Sequence, residues 1–277
     1  MLRLALPVLF SVALLQGCGL MRLGDNLPYG VLNHDDIHTV AEGLPSYLLT
    51  LDGMIENWPE SENLLRSGAT LYSAYAGTFV EEQKRRERLA DRALDYATRA
   101  ACEARDTLCD ARELSVMALE ERVAATGRRD IEALYTLGTV WAGWVEIHSD
   151  DWNAVADLAR VEPIITRVTE LDPGYQQGQA WMYLGVLNSL LPASLGGQPE
   201  QSREYFEKAV EYSDGRNLMA KVLFAEHYAR LAFESELHDE LLEAVLEADP
   251  HEHGLTLQNR IAQRQARALL DESPDYF

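Results

Sequence analysis

The sequence is poor in positive charge, in cysteine and in any apolar run long enough to cross a membrane. Lys and Arg number 24 against 45 Asp and Glu, a formal charge of −21 over 277 residues. That deficit argues against nucleic acid, whose phosphates are bound by trading their counterions for a basic surface. It argues equally against a polybasic membrane patch. Three cysteines are too few for a disulfide scaffold. The early apolar run Leu4–Leu15 covers about 18 Å as a helix, short of the roughly 30 Å of hydrocarbon that a spanning helix crosses. Nor is there an alternating strand pattern of useful length. What is present is an ordinary globular composition, 47% hydrophobic and 25% charged. The chain is long enough to bury a core as one large domain or two small ones.

The N-terminus points to export. Met1-Leu2-Arg3 carries one early charge, the run Leu4–Leu15 follows, and Leu15-Gln16-Gly17-Cys18 closes the segment. A basic start, a short apolar core and a small residue before a cut site make a secretory leader. The closing four residues resemble the lipobox of bacterial lipoproteins, with Gln16 where Ala or Ser is usual. That resemblance implies a signal peptide over residues 1–17, lipidation of Cys18 and a lipidated N-terminus and tether over 18–35. Acyl chains on one cysteine suffice to hold a folded domain at a membrane. Gly19 in place of Asp implies the outer membrane, facing the periplasm. The alternative is an ordinary leader with a chance cysteine. Cys102 and Cys109 would lie about 10.5 Å apart on one continuous helix, beyond the ~6.8 Å limit for a disulfide. They pair only if the chain turns within Glu103–Leu108. An oxidising compartment favours the bridge over two buried thiols.

From Asp36 onward apolar residues recur at i, i+3, i+4 and i+7, and Pro and Gly cluster only between such stretches, so the expected fold class is all-α over 36–277. One turn recurs. Leu51, Met54 and Pro59 share their offsets with Ile165, Val168 and Pro173 and with Leu242, Val245 and Pro250. This is the pattern of the second helix of a tetratricopeptide (TPR) repeat, where apolar and small residues pack on the first helix and proline ends the unit. Ala90, Leu94 and Ala97 fit the same helix loosely, as do Ser202, Phe206 and Ala209. First-helix signatures stand at Trp181, Leu184 and Gly185, at Leu134, Leu137, Gly138 and Trp141, and most weakly at Leu65, Gly68 and Tyr72. The unit beginning at Trp181 is lengthened by Leu191–Pro199. The expectation is a TPR-like helical-repeat solenoid of antiparallel helix pairs with insertions.

The stretches Leu191–Pro199, Ser202–Ala209, Asp214–Lys221 and Phe224–Arg230, with Leu246–Pro250, Leu255–Gln263 and Asp275–Phe277, resemble the TatT family. Leu44-Pro45, Trp58–Leu64 and Tyr72–Val80 extend the resemblance through the first half. It implies a lipoprotein-anchored, TPR-like periplasmic component associated with TRAP transporters, a homotrimer whose protomers carry pores or clefts. It also implies a periplasmic solute-binding protein as partner and a hydrophobic or amphiphilic small ligand to hand over. No cofactor and no catalytic motif come with the family.

His34-Asp35-Asp36-Ile37-His38 puts two histidines at i, i+4, a spacing that suits zinc. Asp at a helix start serves equally as a cap, and no third ligand is specified. His251-Glu252-His253 follows Pro250 in a turn and reads as exposed loop. Gly196-Gly197 lacks the Lys and Ser/Thr of a phosphate loop, and neither HExxH nor GxSxG occurs, so no enzyme is expected. Trp141, Trp144 and His148 share one helical face, and Trp181 and Tyr183 open another first helix. In a TPR-like stack such rings either line the concave surface for a ligand or pack the core. Lys221 and Arg230 flank the motif-rich helix and are candidates for an acidic headgroup, while Arg260, Arg264 and Arg267 form a stripe that reads as solvated or salt-bridged. The expected ligand set is therefore Trp141, Trp144, Trp181, Tyr183, Lys221 and Arg230. The competing function is a TPR lipoprotein scaffold of envelope assembly that binds protein partners only, and the discriminating feature is a pore: a continuous cavity lined by aromatic and aliphatic side chains supports ligand handover, a solid solenoid with only a surface groove the scaffold.

Overall fold

The computed structural model describes residues 30–190 and 197–277. The expected signal peptide, the Cys18 lipidation site, most of the tether and Leu191–Gly196 lie outside the described residues. Among the described residues the chain is all-helical, with no strand. Twelve α-helices follow one another: α1 Ile37–Asn57, α2 Glu62–Phe79, α3 Gln83–Ala104, α4 Val116–Ala124, α5 Ile131–Ile147, α6 Trp152–Ala156, α7 Leu158–Leu171, α8 Gln179–Ser189, α9 Pro199–Tyr212, α10 Leu218–Phe224, α11 Ser235–Glu247 and α12 Thr256–Tyr276. A π-helical turn, Ala225–Ala229, continues α10.

Local chemistry sets the ends. Asp36 caps α1, its carboxylate accepting from the backbone N–H of His38 at 2.9 Å and of Thr39 at 3.3 Å and from the Thr39 hydroxyl at 2.7 Å. Such caps satisfy donors that a helix start leaves open. Helices α1, α7 and α11 each end shortly before one of the recurring prolines, Pro59, Pro173 and Pro250. After α3 the chain turns through a 3₁₀ segment, Asp106–Leu108. This brings the Cα atoms of Cys102 and Cys109 to 4.1 Å, joined as a disulfide.

Helices pack in consecutive order. α2 lies along α3 through the short connection Val80–Glu82, α5 along α7, α8 along α9, and α10 with its π turn against α11 and α12. Each set also contacts the next, α3 and α2 on α5, α7 on α8, and α9 on α10. At three crossings the first helix carries a glycine against a large side chain of its partner. A Cβ on Gly68 would stand 2.8 Å from the Tyr96 ring, one on Gly138 2.5 Å from Ile165, and one on Gly185 2.8 Å from Phe206. Gly68, the weakest of the sequence signatures, thus occupies the same structural position as the other two. The core follows the stack. Leu65, Leu94, Leu134, Leu137, Trp141, Ile164 and Ile165 fill its first part, Met182, Phe206, Phe224 and Tyr228 the second, and Leu218, Val222, Leu242, Val245 and Ala262 the third.

Polar staples join the layers. Asp52 of α1 accepts from Tyr72 at 2.7 Å, Tyr96 at 2.8 Å and Arg92 at 2.6 Å. Burial and that carboxylate push the Tyr72 phenol up to about 12. Asn259 of α12 is fully buried. It accepts from the Leu218 N–H at 3.0 Å and donates to the Arg216 and Pro250 carbonyls at 2.9 and 3.1 Å, leaving none of its main polar capacity idle.

Gly185→Ala tests the crossing. The fully buried Phe206 ring cannot withdraw freely, so overpacking of about 1–3 kcal/mol should exceed the helix-propensity gain of up to ~1 kcal/mol. Gly53, exposed in α1 with open space around it, gives the control. In urea unfolding Gly185→Ala should lower the midpoint and Gly53→Ala should raise it; a raised midpoint for both would contradict the packing account.

Candidate functional site

The faces of α5, α8 and the α10–π segment that are not used in pairwise packing turn toward one another. On α5 the stripe is Tyr135, Thr139, Ala142 and Glu146, spaced i, i+4, i+7, i+11, opposite the core stripe Leu134, Leu137 and Trp141. On α8 it is Gln179, Tyr183 and Leu187, and on α10 with its π turn it is Met219, Leu223 and His227. These side chains are half-buried, apart from the exposed Glu146. The connection before α8 helps to aim them. Gln176 and Gln177 take φ of 48° and 56°, followed by Gly178 at 73°. A left-handed non-glycine residue costs on the order of 1 kcal/mol. At Gly178 a Cβ would meet Tyr212 at 2.5 Å. The bend places the Tyr175 ring edge-on to Tyr135, centroids 5.3 Å apart, and lets the Tyr135 hydroxyl donate to Gln179 Oε1 at 2.8 Å.

The electrostatics bring these groups into one environment. Tyr135 and Tyr183 keep some accessible surface, yet both are desolvated. Burial, with Tyr183 and Tyr175 nearby, raises Tyr135 well above the ordinary phenol value. Burial together with the Glu146 carboxylate raises Tyr183 to about 12. Desolvation lowers His227 below its ordinary 6.5, against the pull of Glu226 and Glu146. Burial disfavours the charged form of each, and the Glu146 carboxylate acts on both Tyr183 and His227, so these groups gather at the junction of α5, α8 and the π turn, called here the tyrosine recess. Its walls are aromatic and aliphatic, with one carboxylate, one neutral imidazole and phenolic hydroxyls as polar points. Such a wall suits non-covalent capture of a small molecule with an apolar body. Beside it, His227 Nε2 stands 4.0 Å from the Glu226 carboxylate.

Of the residues the sequence singled out, Tyr183 is in this recess. Trp141 is not. It has no accessible surface and its indole N–H donates to Asp157 at 3.0 Å, so the aromatic face expected to meet a ligand is core at that position. Trp144 turns toward α3, donating to Asp91 at 2.7 Å and stacking on His148 at 4.3 Å. Trp181 lies in the α8–α9 junction. Its N–H donates to the Pro173 carbonyl at 2.9 Å, its ring meets Tyr205 and Tyr212 at 5.6 and 6.2 Å, and Lys208 Nζ stands 4.7 Å from it. Lys221 is in the last turn of α10, beside the Gly215 turn. Arg230 is 4.1 Å from the Tyr276 ring and 3.8 Å from Glu272, tying the π turn to α12. The structure therefore does not converge these six on one point. Tyr135, Glu146 and His227 were not singled out, although the second stripe on α5 is legible in the spacing.

The remaining motifs take structural roles. Asp36 of the His34–His38 segment is the α1 cap, and His34 Nδ1 accepts from the Asp36 N–H at 3.1 Å. His251 pairs with Asp249 at 2.6 Å and reaches Asp35 at 3.7 Å. A second recess, of about 410 Å³, lies beside the disulfide among Asp91, Asp95, Asp110, Glu113 and Arg112.

Comparison with known proteins adds two findings. The sequence profile of the family described as TRAP transporter T-component (TAtT) matches residues 33–277. The chain is also similar to a protein of Treponema pallidum (strain Nichols) named only "Uncharacterized protein". Identity is 24% over 265 residues, covering 88% of this chain and 81% of that one.

The neutral His227 has a pH signature. As pH falls below 6.5 the unfolded chain takes up a proton that the folded chain refuses, so stability drops until the lowered folded value is passed. Urea midpoints measured at about pH 7.5 and about pH 5.5 should fall more for the parent chain than for His227→Gln. Equal falls would place His227 in a solvated setting and remove it from the recess.

Proposed function

The chain belongs to the TRAP transporter T-component family, and from that premise we propose that it is a lipid-anchored, periplasm-facing component of a TRAP-type solute transporter. In this reading it binds a hydrophobic or amphiphilic small ligand and hands it to a docked solute-binding protein. The observation that carries the proposal is the desolvated but accessible tyrosine recess between α5, α8 and the π turn. The apolar body of a ligand would lie against Leu187, Leu223 and Met219, each buried methylene contributing about 0.8 kcal/mol. The Tyr183 hydroxyl and the Glu146 carboxylate would meet a polar end. The mechanism is capture and release, with no bond made or broken.

Several features support the wider reading. The consecutive packing of helix pairs, with glycines at the crossings, supports a TPR-like solenoid whose first helices face the ligand. No helix among the described residues is long and apolar enough to cross a membrane, and in this proposal Cys18 carries the lipid that holds the domain at the outer membrane. Exposed Leu49, Trp58, Met117 and Trp152 offer contact surface for a solute-binding protein or for further copies in a homotrimer. The same exposed side chains favour the second reading, a scaffold of envelope assembly that binds proteins only.

Native mass spectrometry of the chain purified from membranes separates the two. Transport predicts a small molecule retained by the parent protein and lost from Tyr183→Ala. Protein free of small molecules in both forms would sink the ligand reading and leave the scaffold.

A further inference from the structure

The N-terminal arm enters the body at one defined place. Asn33 Oδ1 accepts from the Gly254 N–H at 2.7 Å, and Asp35 lies 3.7 Å from His251 and 3.9 Å from Arg260. The arm is thereby held against the α11–α12 connection and the first turns of α12. Immediately beside it is a shallow recess of about 460 Å³, lined by Ile37 of α1 and by Arg260, Gln263, Arg264, Arg267, Ala268 and Asp271 of α12. The three arginines fall at i, i+4, i+7 and share one face.

This face reverses the charge of the molecule. In a chain of −21 a guanidinium has carboxylates to choose from, and Arg66, Arg92, Arg105 and Arg160 each hold one at 3.1 Å or closer. Among the described residues, Arg264 and Arg267 have no carboxylate within ion-pair distance. Arg260 has only the 3.9 Å contact with Asp35, and its Nε is buried without an acceptor. Asp271 lines the far end of the recess without pairing with Arg267. Three guanidiniums on one face, two of them exposed and without a carboxylate and the third with a buried Nε lacking an acceptor, fit phosphate oxyanions.

We propose that the arginine face of α12 docks the domain on anionic phospholipid headgroups, with Arg260, Arg264 and Arg267 meeting lipid phosphates. The choice of a membrane as the source of phosphate rests on the lipid-anchor reading. Asn33 and Asp35 hold the described part of the N-terminal arm beside this face, so an anchor carried on that arm would bring bilayer and arginines together. Basic residues at an anionic surface favour contact by about fivefold each, on the order of a hundredfold for three. Asp35 and Asp271, which share this face, reduce that gain; charges farther than the Debye length of about 8 Å are largely screened. The anchor confines the domain to the surface; the arginine face sets which way it points.

The test uses the lipidated chain in vesicles of phosphatidylcholine alone or with phosphatidylglycerol, with phenylglyoxal modification read arginine by arginine. Arg264 and Arg267 should react severalfold more slowly on phosphatidylglycerol vesicles, with high salt restoring the rate. Arg128 and Arg129, exposed in the turn before α5, should react equally on both. Equal reactivity of Arg264 and Arg267 on vesicles that carry the protein would overturn the docking. Equal protection by inorganic phosphate on phosphatidylcholine vesicles would overturn it in favour of a free-anion site. A chain that fails to float with phosphatidylcholine vesicles overturns the anchor reading alone, and protection of the unanchored chain on phosphatidylglycerol vesicles then still decides the arginine face.

Discussion

The approach of first and second helices at Gly68, Gly138 and Gly185 is the constraint from which the rest of the structure follows. Each of these residues leaves room for a side chain of the partner helix, Tyr96, Ile165 or Phe206, to reach the backbone. With the pairs this close, the core side of α5 is spent on α7 and α3, and that of α8 on α9. The remaining stripe of each first helix has no partner within its own pair. Stacking then sets these spare stripes side by side, and a recess results. Its polar points, Tyr135, Tyr183, Glu146 and His227, are therefore consequences of packing geometry as much as of local sequence.

Desolvation gives that recess its chemistry. The phenols stay protonated because burial disfavours their anions, and His227 stays neutral although carboxylates surround it. The result is a wall of neutral hydrogen-bonding groups, able to orient a ligand end without a large charge to desolvate. Membership of the TRAP transporter T-component family supplies the transport context for the proposed binding function. The arm at Asn33 and Asp35 and the arginine face of α12 add an orientation to that context.

Much of the fold was legible in the sequence because it rests on short-range rules. Helices α1, α7 and α11 end shortly before Pro59, Pro173 and Pro250, and Leu134, Leu137, Leu184, Phe206 and Ala209 are buried as their helical spacing suggests. The site was less legible. Trp141 and Trp144 share a helical face, but whether that face looks inward or toward a ligand depends on which neighbour covers it, and α3 with α7 does so. Tyr135 and Glu146 lie on the weaker second stripe of α5, and His227 owes its position to a π turn that helical spacing does not reveal. Net charge misled in a different way. A balance of −21 says nothing of a local face such as Arg260, Arg264 and Arg267, because pairing partners are assigned by the fold.

The central claim, that the tyrosine recess holds a ligand, is tested most directly by a crystal structure of the full-length chain purified from its own membranes. The account predicts electron density between α5, α8 and the π turn, in contact with Tyr183 and His227 and with its apolar part toward Leu187 and Leu223. A recess closed by side chains, or a co-purified molecule bound elsewhere, would contradict it.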